Sequence, residues 1–390
     1  MTETKCLICG GVDFTELLNI NKFPVLFGAV PAERVKSIAN YPLSIAICNK
    51  CQLVQQINLL KEDVLNSVYT EEYYNCPSPS TTALGTREID KFYDFFRQCN
   101  LEKGKLLEIA CFDGYLLKKL QDDGWDVYGC DPSALTQTAV AQLGQDRIIN
   151  DFFTDKTYPP DAFDVIIFRN LLEHMYDIHG FIKAVDRCLK KGGRIFIDVP
   201  NIKVLLDIGG LGTFFHQHVS YFSLSTLSML LTRHNFLIDC HHEGMPNLFI
   251  GAIKGANGIR MSNMESLTID IELEKTLFLE KNRKVHNDIA HIFQNEQYRH
   301  IGLFGASALA TTIINMLDTT LVSKIKNIFD NDTMKHGKYI YGCDVMIGPP
   351  ADIRVANIDV IILTTYFFHH EIQNQLLEMG VDRNKILTLI

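Results

Sequence analysis

The chain has 390 residues, more than one hydrophobic core usually supports, so we expect two or three domains. A composition of 47% hydrophobic and 21% charged residues indicates a folded globular protein, and the net charge of −9 argues against a nucleic-acid partner. No apolar run is long enough to span a bilayer, and the N-terminus lacks the apolar segment of a secretory signal. We therefore expect a cytoplasmic protein without a membrane partner.

Two Cys-x-x-Cys pairs lie in the first part of the chain, Cys6 with Cys9 and Cys48 with Cys51. Each such turn brings two thiolates to one ion, and two turns supply the four ligands of a tetrahedral zinc site. Because cysteine fills all four positions, we expect this zinc to be structural. The alternatives are two unrelated pairs or a redox pair, although a thioredoxin-type motif has a single pair at a helix start.

From about residue 100, strand and helix patterns alternate. Leu106 to Ile109 is predicted to be a strand, Tyr115 to Asp123 an amphipathic helix and Val127 to Cys130 a second strand. Asp131 follows the second strand directly. This succession is typical of the first half of a nucleotide-binding α/β unit.

The loop after the first strand, ACFDG, has one glycine, Gly114. A dinucleotide fold needs GxGxxG so that pyrophosphate can approach bare backbone, whereas S-adenosylmethionine has no phosphate and needs carboxylates for its ammonium and ribose hydroxyls. Glu108 leads into the loop, Asp131 is placed for the ribose, and Asp151 and Phe152 fall where an adenine contact is expected. The candidate cofactor-binding residues are Glu108, Ala110, Phe112, Gly114, Asp131, Pro132, Asp151, Phe152 and Asn170.

Later segments continue the alternation. Phe163 to Met175 is predicted to be a buried strand with a polar turn into a helix, and Leu189 to Asn201 a glycine turn and strand. The features occur in the order expected for a class I methyltransferase. A helical pattern runs from about residue 255 to 295, and HIGLFGASALA then opens a second α/β unit whose glycine loop resembles a degenerate phosphate loop.

The stretch FFHQHVSYFS places His216 and His218 two residues apart. On a strand both would point to one face and could chelate a metal, but no third ligand with suitable spacing stands nearby. Core packing is a second interpretation, more so for His216. In the third, a neutral imidazole acts as the general base that carbon methylation requires, because a proton alpha to a ketone must be removed.

In the same order over nearly the whole chain, five features resemble those of the three-domain, zinc-binding sugar C-methyltransferases. They are the paired Cys-x-x-Cys turns, EIACFDGYLL, LEHM, HQHVSYFS and GLFGASALA. That family builds branched deoxysugars from nucleotide-linked ketosugars. The resemblance implies a zinc module, an S-adenosylmethionine domain and a Rossmann-like third domain that helps to close over the sugar nucleotide.

The resemblance also implies site residues. His218 corresponds to the family's base and His174 to another active-site histidine, while EEYYNCPSPS, with Tyr73 and Tyr74, corresponds to the segment that lines the sugar site. The family's Tyr-His-Glu-His motif has Phe and Gln217 here in place of Tyr and Glu. Because Gln217 cannot carry negative charge, these departures indicate a changed substrate or chemistry.

We therefore predict an α/β protein with four segments: a zinc module (1–70), a methyltransferase domain (71–255), a connecting helix (256–295) and a Rossmann-like substrate-side domain (296–390). The predicted reaction is S-adenosylmethionine-dependent C-methylation of a small-molecule nucleotide-ketosugar through an enolate. Three alternatives stay open: O- or N-methylation of a sugar or other small metabolite, an oxidoreductase or isomerase that uses the C-terminal domain, and a non-catalytic scaffold.

Overall fold

The computed structural model of the chain describes residues 4–67, 79–81, 83–244, 246–255, 271–366 and 368–389. The strands of this part of the chain are β1 (Phe14–Pro24), β2 (Ala29–Val30), β3 (Asn40–Cys48), β4 (Val54–Gln56), β5 (Lys105–Ile109), β6 (Asp126–Cys130), β7 (Ile148–Ile149), β8 (Phe163–Arg169), β9 (Leu189–Pro200), β10 (Ser220–Tyr221), β11 (Phe236–Glu243), β12 (Asn247–Lys254), β13 (Ile301–Phe304), β14 (Ile325–Phe329), β15 (Tyr339–Ile340), β16 (Ile347–Gly348), β17 (Val360–Leu363) and β18 (Ile386–Thr388).

The α-helices of the same residues are α1 (Glu62–Ser67), α2 (Ala83–Gln98), α3 (Tyr115–Asp122), α4 (Thr136–Leu143), α5 (Ile178–Cys188), α6 (Ile202–Asp207), α7 (Leu224–Arg233), α8 (Ile271–Gln294), α9 (Ala308–Met316), α10 (Thr319–Val322) and α11 (His369–Glu378). Within the described residues, no helix combines the length and apolar character that a membrane span requires.

Capping side chains fix where several helices begin. Asp177 precedes α5 and accepts a hydrogen bond from the amide of Gly180 at 2.8 Å. Ser223 and Thr226 form a reciprocal capping box at the start of α7, and Ser307 caps α9. These side chains satisfy amides that the first turn of a helix leaves without a helical partner.

The described residues group into two units that interleave along the chain. The first unit draws on Met1–Thr15, Ala46–Lys203 and His218–Ile269. The second draws on Glu16–Ile45, Val204–Gln217 and Asp270–Ile390. The four predicted segment boundaries stay a prediction.

A seven-stranded sheet in the order β11-β12-β9-β8-β5-β6-β7 forms the centre of the first unit. Strands β7, β6, β5, β8 and β9 are parallel neighbours, and β12 lies antiparallel between β9 and β11. Helices α5 and α7 pack with the core on one face, and α2, α3 and α4 pack with the core on the other. Leu106 and Leu107 show the pattern, because neighbouring residues of a strand point to opposite faces and these two join opposite cores.

The first unit also contains the cysteine turns and a small antiparallel pairing. Strand β4 pairs with β10, with Ser220 opposite Gln55 and Tyr221 opposite Val54. Cys6, Cys48 and Cys51 belong to the same core as α5 and α7. The N-terminal cysteine turns are therefore part of the packing of this unit.

The second unit has a five-stranded parallel sheet in the order β16-β14-β13-β17-β18. Strand β15 pairs antiparallel with β2, so a segment near the N-terminus packs with the C-terminal α/β unit. Gly212 lies in this unit with φ near +72°, and an added Cβ would stand 2.4 Å from the Cα of Leu309. Only glycine fits at this close approach.

One local prediction is wrong: the glycines near the start of β9 lie within the strand and not in a preceding turn. After β8, a short 3-10 turn at Leu172–His174 precedes the predicted helix, α5, which begins at Ile178 because Asp177 supplies its cap. Residues 214–219 form a loop with a turn at 216–217, so His216 and His218 do not share the face of a strand, which the metal-binding alternative required. The predicted connecting helix is present from Ile271 to Gln294, and its first part lies outside the described residues.

Candidate active site

The four cysteines of the two Cys-x-x-Cys turns come together. The sulfur of Cys6 is 3.3 Å from that of Cys51, the sulfur of Cys9 is 3.5 Å from that of Cys48, and all four lie within 4.8 Å of one another. A tetrahedral zinc ion with bonds of about 2.3 Å spaces its sulfurs by about 3.8 Å. The amide of Gly11 approaches the Cys9 sulfur at 3.4 Å. The donor set therefore fits a closed zinc site.

A cavity of about 380 Å³ opens at the carboxyl ends of β5, β6 and β8. Its lining is Glu62, Leu65, Ile109, Ala110, Phe112, Cys130, Asp131, Pro132, Phe152, Phe153, Asn170, Leu171, His174, Met175, Tyr176, Asp177 and Phe181. Ala110, Phe112 and Asn170 all have positive φ, at 61°, 48° and 45°. Three strained backbone positions at one cavity are typical of a ligand site.

Asp131 is the predicted ribose acceptor, and it lines this cavity. Its carboxylate accepts hydrogen bonds from the amides of Phe112 at 3.2 Å and Ser133 at 2.8 Å. Burial raises its pKa, while these two amides favour the charged form. The carboxylate therefore holds the glycine-poor loop in place at the cavity wall.

Glu108, the other predicted carboxylate, lines a neighbouring cavity of about 210 Å³ that shares Ala110, Phe112 and Asn170 with the first. Burial raises its pKa to about 8, and Arg169 opposes that shift. Glu108 and Asp131 thus lie on opposite sides of the ACFDG loop.

The remaining predicted cofactor residues have different positions. Pro132, Phe152 and Asn170 line the larger cavity, with Phe152 45% exposed. Asp151 is exposed and accepts a hydrogen bond from the amide of Phe152. Gly114 starts α3 with φ near 75°, and an added Cβ would stand 2.8 Å from the Cβ of Ala139. Gly114 therefore serves the close packing of the loop and not the cavity wall.

His174 lines the cavity, and His218 adjoins it. The two rings are 4.8 Å apart and nearly perpendicular, and the Tyr221 ring lies 5.7 Å from that of His218. Burial and the neighbouring His174 hold the pKa of His218 well below its usual value. Gln56 fixes the backbone here by donating its side-chain amide to the carbonyl of His218 at 2.7 Å.

Glu173 is a site residue that the sequence analysis missed. It is 1% exposed, and its Oε1 is 3.9 Å from the Nε2 atoms of both His174 and His218. Burial, and secondarily the charge of Asp198, raise its pKa to about 8. The sequence did contain a signal for this residue, because Glu173 is a charged residue beside His174 in a largely apolar segment.

A buried ion pair stands behind these groups. Arg169 donates to Asp198 at 3.1 Å, with side chains 9% and 0% exposed. Burial raises the pKa of Asp198 to about 6, and Arg169 opposes the shift. The amide of Asn170 donates to the carbonyl of Asp198 at 2.8 Å, so the pair is tied to the cavity loop.

The other predicted catalytic residues are not gathered at this cavity by the described structure. Gln217 is buried and belongs to the second unit. His216 belongs to the core of that unit, where its Nε2 lies 3.2 Å from the carbonyl oxygen of Phe23. Tyr73 and Tyr74 lie outside the described residues.

Side chains of the second unit already form hydrogen bonds with the backbone of its glycine loop. The carboxylate of Asp330 accepts from the amide of Ala306 at 2.7 Å and pairs with Lys335 at 3.0 Å. The hydroxyl of Thr364 donates to the carbonyl of Gly305 at 2.6 Å. The amide that would face a phosphate in such a loop thus bonds to a carboxylate.

Two family models match the chain. Residues 83–241 match the model described as a methyltransferase domain, and residues 297–387 match the model described as C2185-like, N-terminal. The C-methyltransferase NovU of Streptomyces niveus is 24% identical over 274 residues, which are 67% of this chain and 64% of NovU. A ubiquinone biosynthesis O-methyltransferase of Pseudomonas fluorescens (strain Pf0-1) is 32% identical over 109 residues, 26% of this chain and 47% of that protein. The chain therefore covers less than two thirds of either relative.

Among solved structures, the 1,6-didemethyltoxoflavin-N1-methyltransferase of Burkholderia thailandensis aligns with 54% of this chain and 95% of its own at a TM-score of 0.42 and 14% identity. The match of residues 83–241 and the strand order confirm the predicted fold class, and the match to a methyltransferase domain supports the predicted enzyme class. The middle of the chain is a methyltransferase domain with the class I fold of S-adenosylmethionine-dependent methyltransferases.

Proposed function

We propose that the protein is an S-adenosylmethionine-dependent C-methyltransferase that acts on a nucleotide-activated ketosugar. The observation that carries this proposal is the pair of adjoining imidazoles, His174 at the cavity wall and His218 4.8 Å from it. Removal of a proton next to a ketone needs a base of this kind. The similarity to NovU, a C-methyltransferase, supports carbon as the acceptor atom.

The cavity fits S-adenosylmethionine better than a dinucleotide. Asp131 offers a carboxylate for ribose hydroxyls, Phe152 offers an exposed aromatic face for adenine, and the loop amide of Phe112 is taken by Asp131 and not free for a phosphate. When bound, S-adenosylmethionine supplies an electrophilic methyl group. The candidate residues named from the sequence would hold it from both sides of the loop.

His218 would start the reaction. Because burial keeps its imidazole neutral near pH 7, one ring nitrogen is unprotonated, and its lone pair can accept the proton alpha to the ketone. The C–H electrons would pass into an enolate and His218 would keep the proton. The residues around the cavity would present the methyl group of S-adenosylmethionine to the enolate carbon, and the electrons of the broken S–CH₃ bond would stay on sulfur. His174 would donate a hydrogen bond to the enolate oxygen, and positioning of both substrates would supply much of the acceleration.

The cysteine cluster would hold a structural zinc ion. Cys6, Cys9, Cys48 and Cys51 provide four thiolates and leave no open coordination position. The zinc would stabilise the core of the first unit, to which three of these cysteines belong.

Incubation of the full chain with S-adenosylmethionine and a panel of nucleotide-linked 4-ketosugars in heavy water, followed by mass spectrometry, tests the proposal. We expect a methyl gain on carbon in the product and deuterium uptake at the same carbon position of recovered, unmethylated substrate, both abolished in His218→Asn. Methyl gain on oxygen or nitrogen without exchange would refute carbon methylation. Full turnover of the His218→Asn variant would refute the assignment of the base.

O-methylation of a sugar or other small metabolite is the second candidate. The O-methyltransferase relatives, at 32% identity over 109 residues, favour it. Such a reaction needs no enolate, so the wild-type enzyme would transfer the methyl group without deuterium uptake.

A further inference from the structure

Glu173 is a buried carboxyl group that the proposed reaction does not yet use. It is 1% exposed, and neither of its oxygens has a hydrogen-bond partner in the part of the chain that the structure describes. A buried carboxyl without such partners is costly, so its position requires a reason. The reason lies in the two groups that face it.

The main chain holds Glu173 between two imidazoles. Its Oε1 is 3.9 Å from the Nε2 of His174 and 3.9 Å from the Nε2 of His218. The amide of Val219 donates to the carbonyl of Glu173 at 2.8 Å, and Gln56 holds the carbonyl of His218. The loop that carries His218 is therefore fixed against the turn that carries the carboxyl.

Among the described residues, the charged and titratable groups around this trio leave the carboxyl without a cation. Asp198, on β9, contributes a negative charge that disfavours ionisation of Glu173. Arg169, on β8, is already paired with Asp198 at 3.1 Å, and Tyr221 adjoins His218. Within the part of the chain that the structure describes, the remaining source of positive charge at Glu173 is protonation of the two imidazoles themselves.

The carboxyl of Glu173 can compensate for a weakness of His218 as a base. Burial disfavours its imidazolium, so a proton taken from carbon would be held poorly unless a negative charge stood close by. An electrically neutral trio of one carboxyl and two imidazoles carries one mobile proton. After the C–H bond breaks, the trio carries two, and its net positive charge offsets the enolate.

We propose that Glu173 is a positioning residue that acts through His218: its carboxyl shares the mobile proton with both imidazoles and balances the charge of His218 when that residue takes the proton from the substrate. This inference rests on the proposed C-methylation. Removal of the carboxyl charge weakens the base and leaves both substrate sites intact.

The test is Glu173→Gln, which keeps the volume and removes the charge, measured in the zinc-loaded full-length chain. We expect kcat and the rate of solvent deuterium exchange at the substrate carbon to fall together by about 100-fold or more, with KM and the Kd of S-adenosylmethionine changed less than about threefold. Without the carboxylate the imidazolium is less stable, so the acid limb of kcat against pH moves to lower pH. The apparent pKa values belong to the trio and not to one residue.

Asp164→Asn is the matched control, because this carboxyl lies at the other end of β8, paired with Lys190. It should leave exchange, kcat and the pH profile unchanged. A Glu173→Gln enzyme with wild-type exchange and pH profile would overturn the proposal, as would a second equivalent of metal in the wild type that this variant loses. A wild type that methylates oxygen or nitrogen without exchange would overturn C-methylation and this inference with it, a result distinct from failure of Glu173 alone.

Discussion

Replacement of Arg169 by Met should leave a carboxylate unpaired in the core of the first unit. Arg169 and Asp198 are 9% and 0% exposed, and Arg169 opposes the effect of burial on the pKa of Asp198, which is about 6. Loss of one partner of a buried ion pair typically costs about 3–5 kcal/mol, because the remaining charge has no compensation. We expect a loss of that size at pH 8.

The loss should shrink at lower pH. The folded-state pKa of Asp198 is raised above its unfolded value, so this group's stabilising contribution is fully present below about pH 4 and is lost as pH rises through about 6. Without Arg169 that pKa rises further, and at pH 5 the carboxyl folds as a neutral acid. The remaining cost is a lost hydrogen bond, about 1–2 kcal/mol.

Urea unfolding followed by tryptophan fluorescence measures this difference. The single tryptophan, Trp125, is buried in the first unit with its ring 5.5 Å from that of Phe96, so it reports on the unit that contains the ion pair. The control is Arg194→Met, which breaks a pair with Asp239 whose side chains are 20% and 24% exposed. Such a pair should contribute less than about 1 kcal/mol.

The double variant Arg169→Met/Asp198→Asn separates charge from packing. If the buried charge causes the loss, this variant is more stable than Arg169→Met alone at pH 8. A loss of equal size at pH 5 and pH 8, or a double variant as unstable as the single one, would refute the reasoning.

Three further predictions concern the cofactor, the metal and a thiol. Phe152→Ala should raise the Kd of S-adenosylmethionine by about 5- to 150-fold in calorimetry, because a base stacked on an aromatic ring gains about 1–3 kcal/mol, while the free energy of unfolding stays unchanged. Elemental analysis should find one equivalent of zinc in the wild type. Cys48→Ser should lose that zinc and destabilise the first unit, whereas Cys343→Ser, at a buried cysteine outside the cluster, should keep it. A hydrogen bond between Cys99 and Cys240, whose sulfurs are 3.2 Å apart, lowers the pKa of Cys99 to about 7. Cys99 should therefore be alkylated with a midpoint near pH 7, and Cys240→Ala should move that midpoint upward.

Local patterns predicted what local forces determine. The alternation of apolar residues gave β5, α3 and β6 to within one residue at each end, because the periods of strand and helix are set by the backbone. The spacing of the cysteine turns likewise predicted that four sulfurs would meet. The surroundings of His218 could not be predicted from local patterns, because the residues that hold its loop, such as Gln56 and Glu173, lie far away in sequence.

The interleaving of the two units has no local signal. Strand β2 pairs with β15 across about three hundred residues, and the loop that contains His216 and His218 passes from one unit to the other between residues 217 and 218. Two histidines that look equivalent in the sequence consequently have different surroundings. His216 is a core residue near the carbonyl of Phe23, and His218 faces Glu173.

Glu173 shows why a buried carboxyl beside a candidate base can escape a sequence search. Its neighbour His174 belongs to a recognisable motif, yet the feature that matters is a distance of 3.9 Å to His218, forty-five residues away. Such a pairing depends on β10 joining β4 and on Gln56 holding the His218 carbonyl, both of which are tertiary contacts. A sequence pattern can therefore mark a candidate base, whereas the buried carboxyl that we propose acts through it is brought there only by the fold.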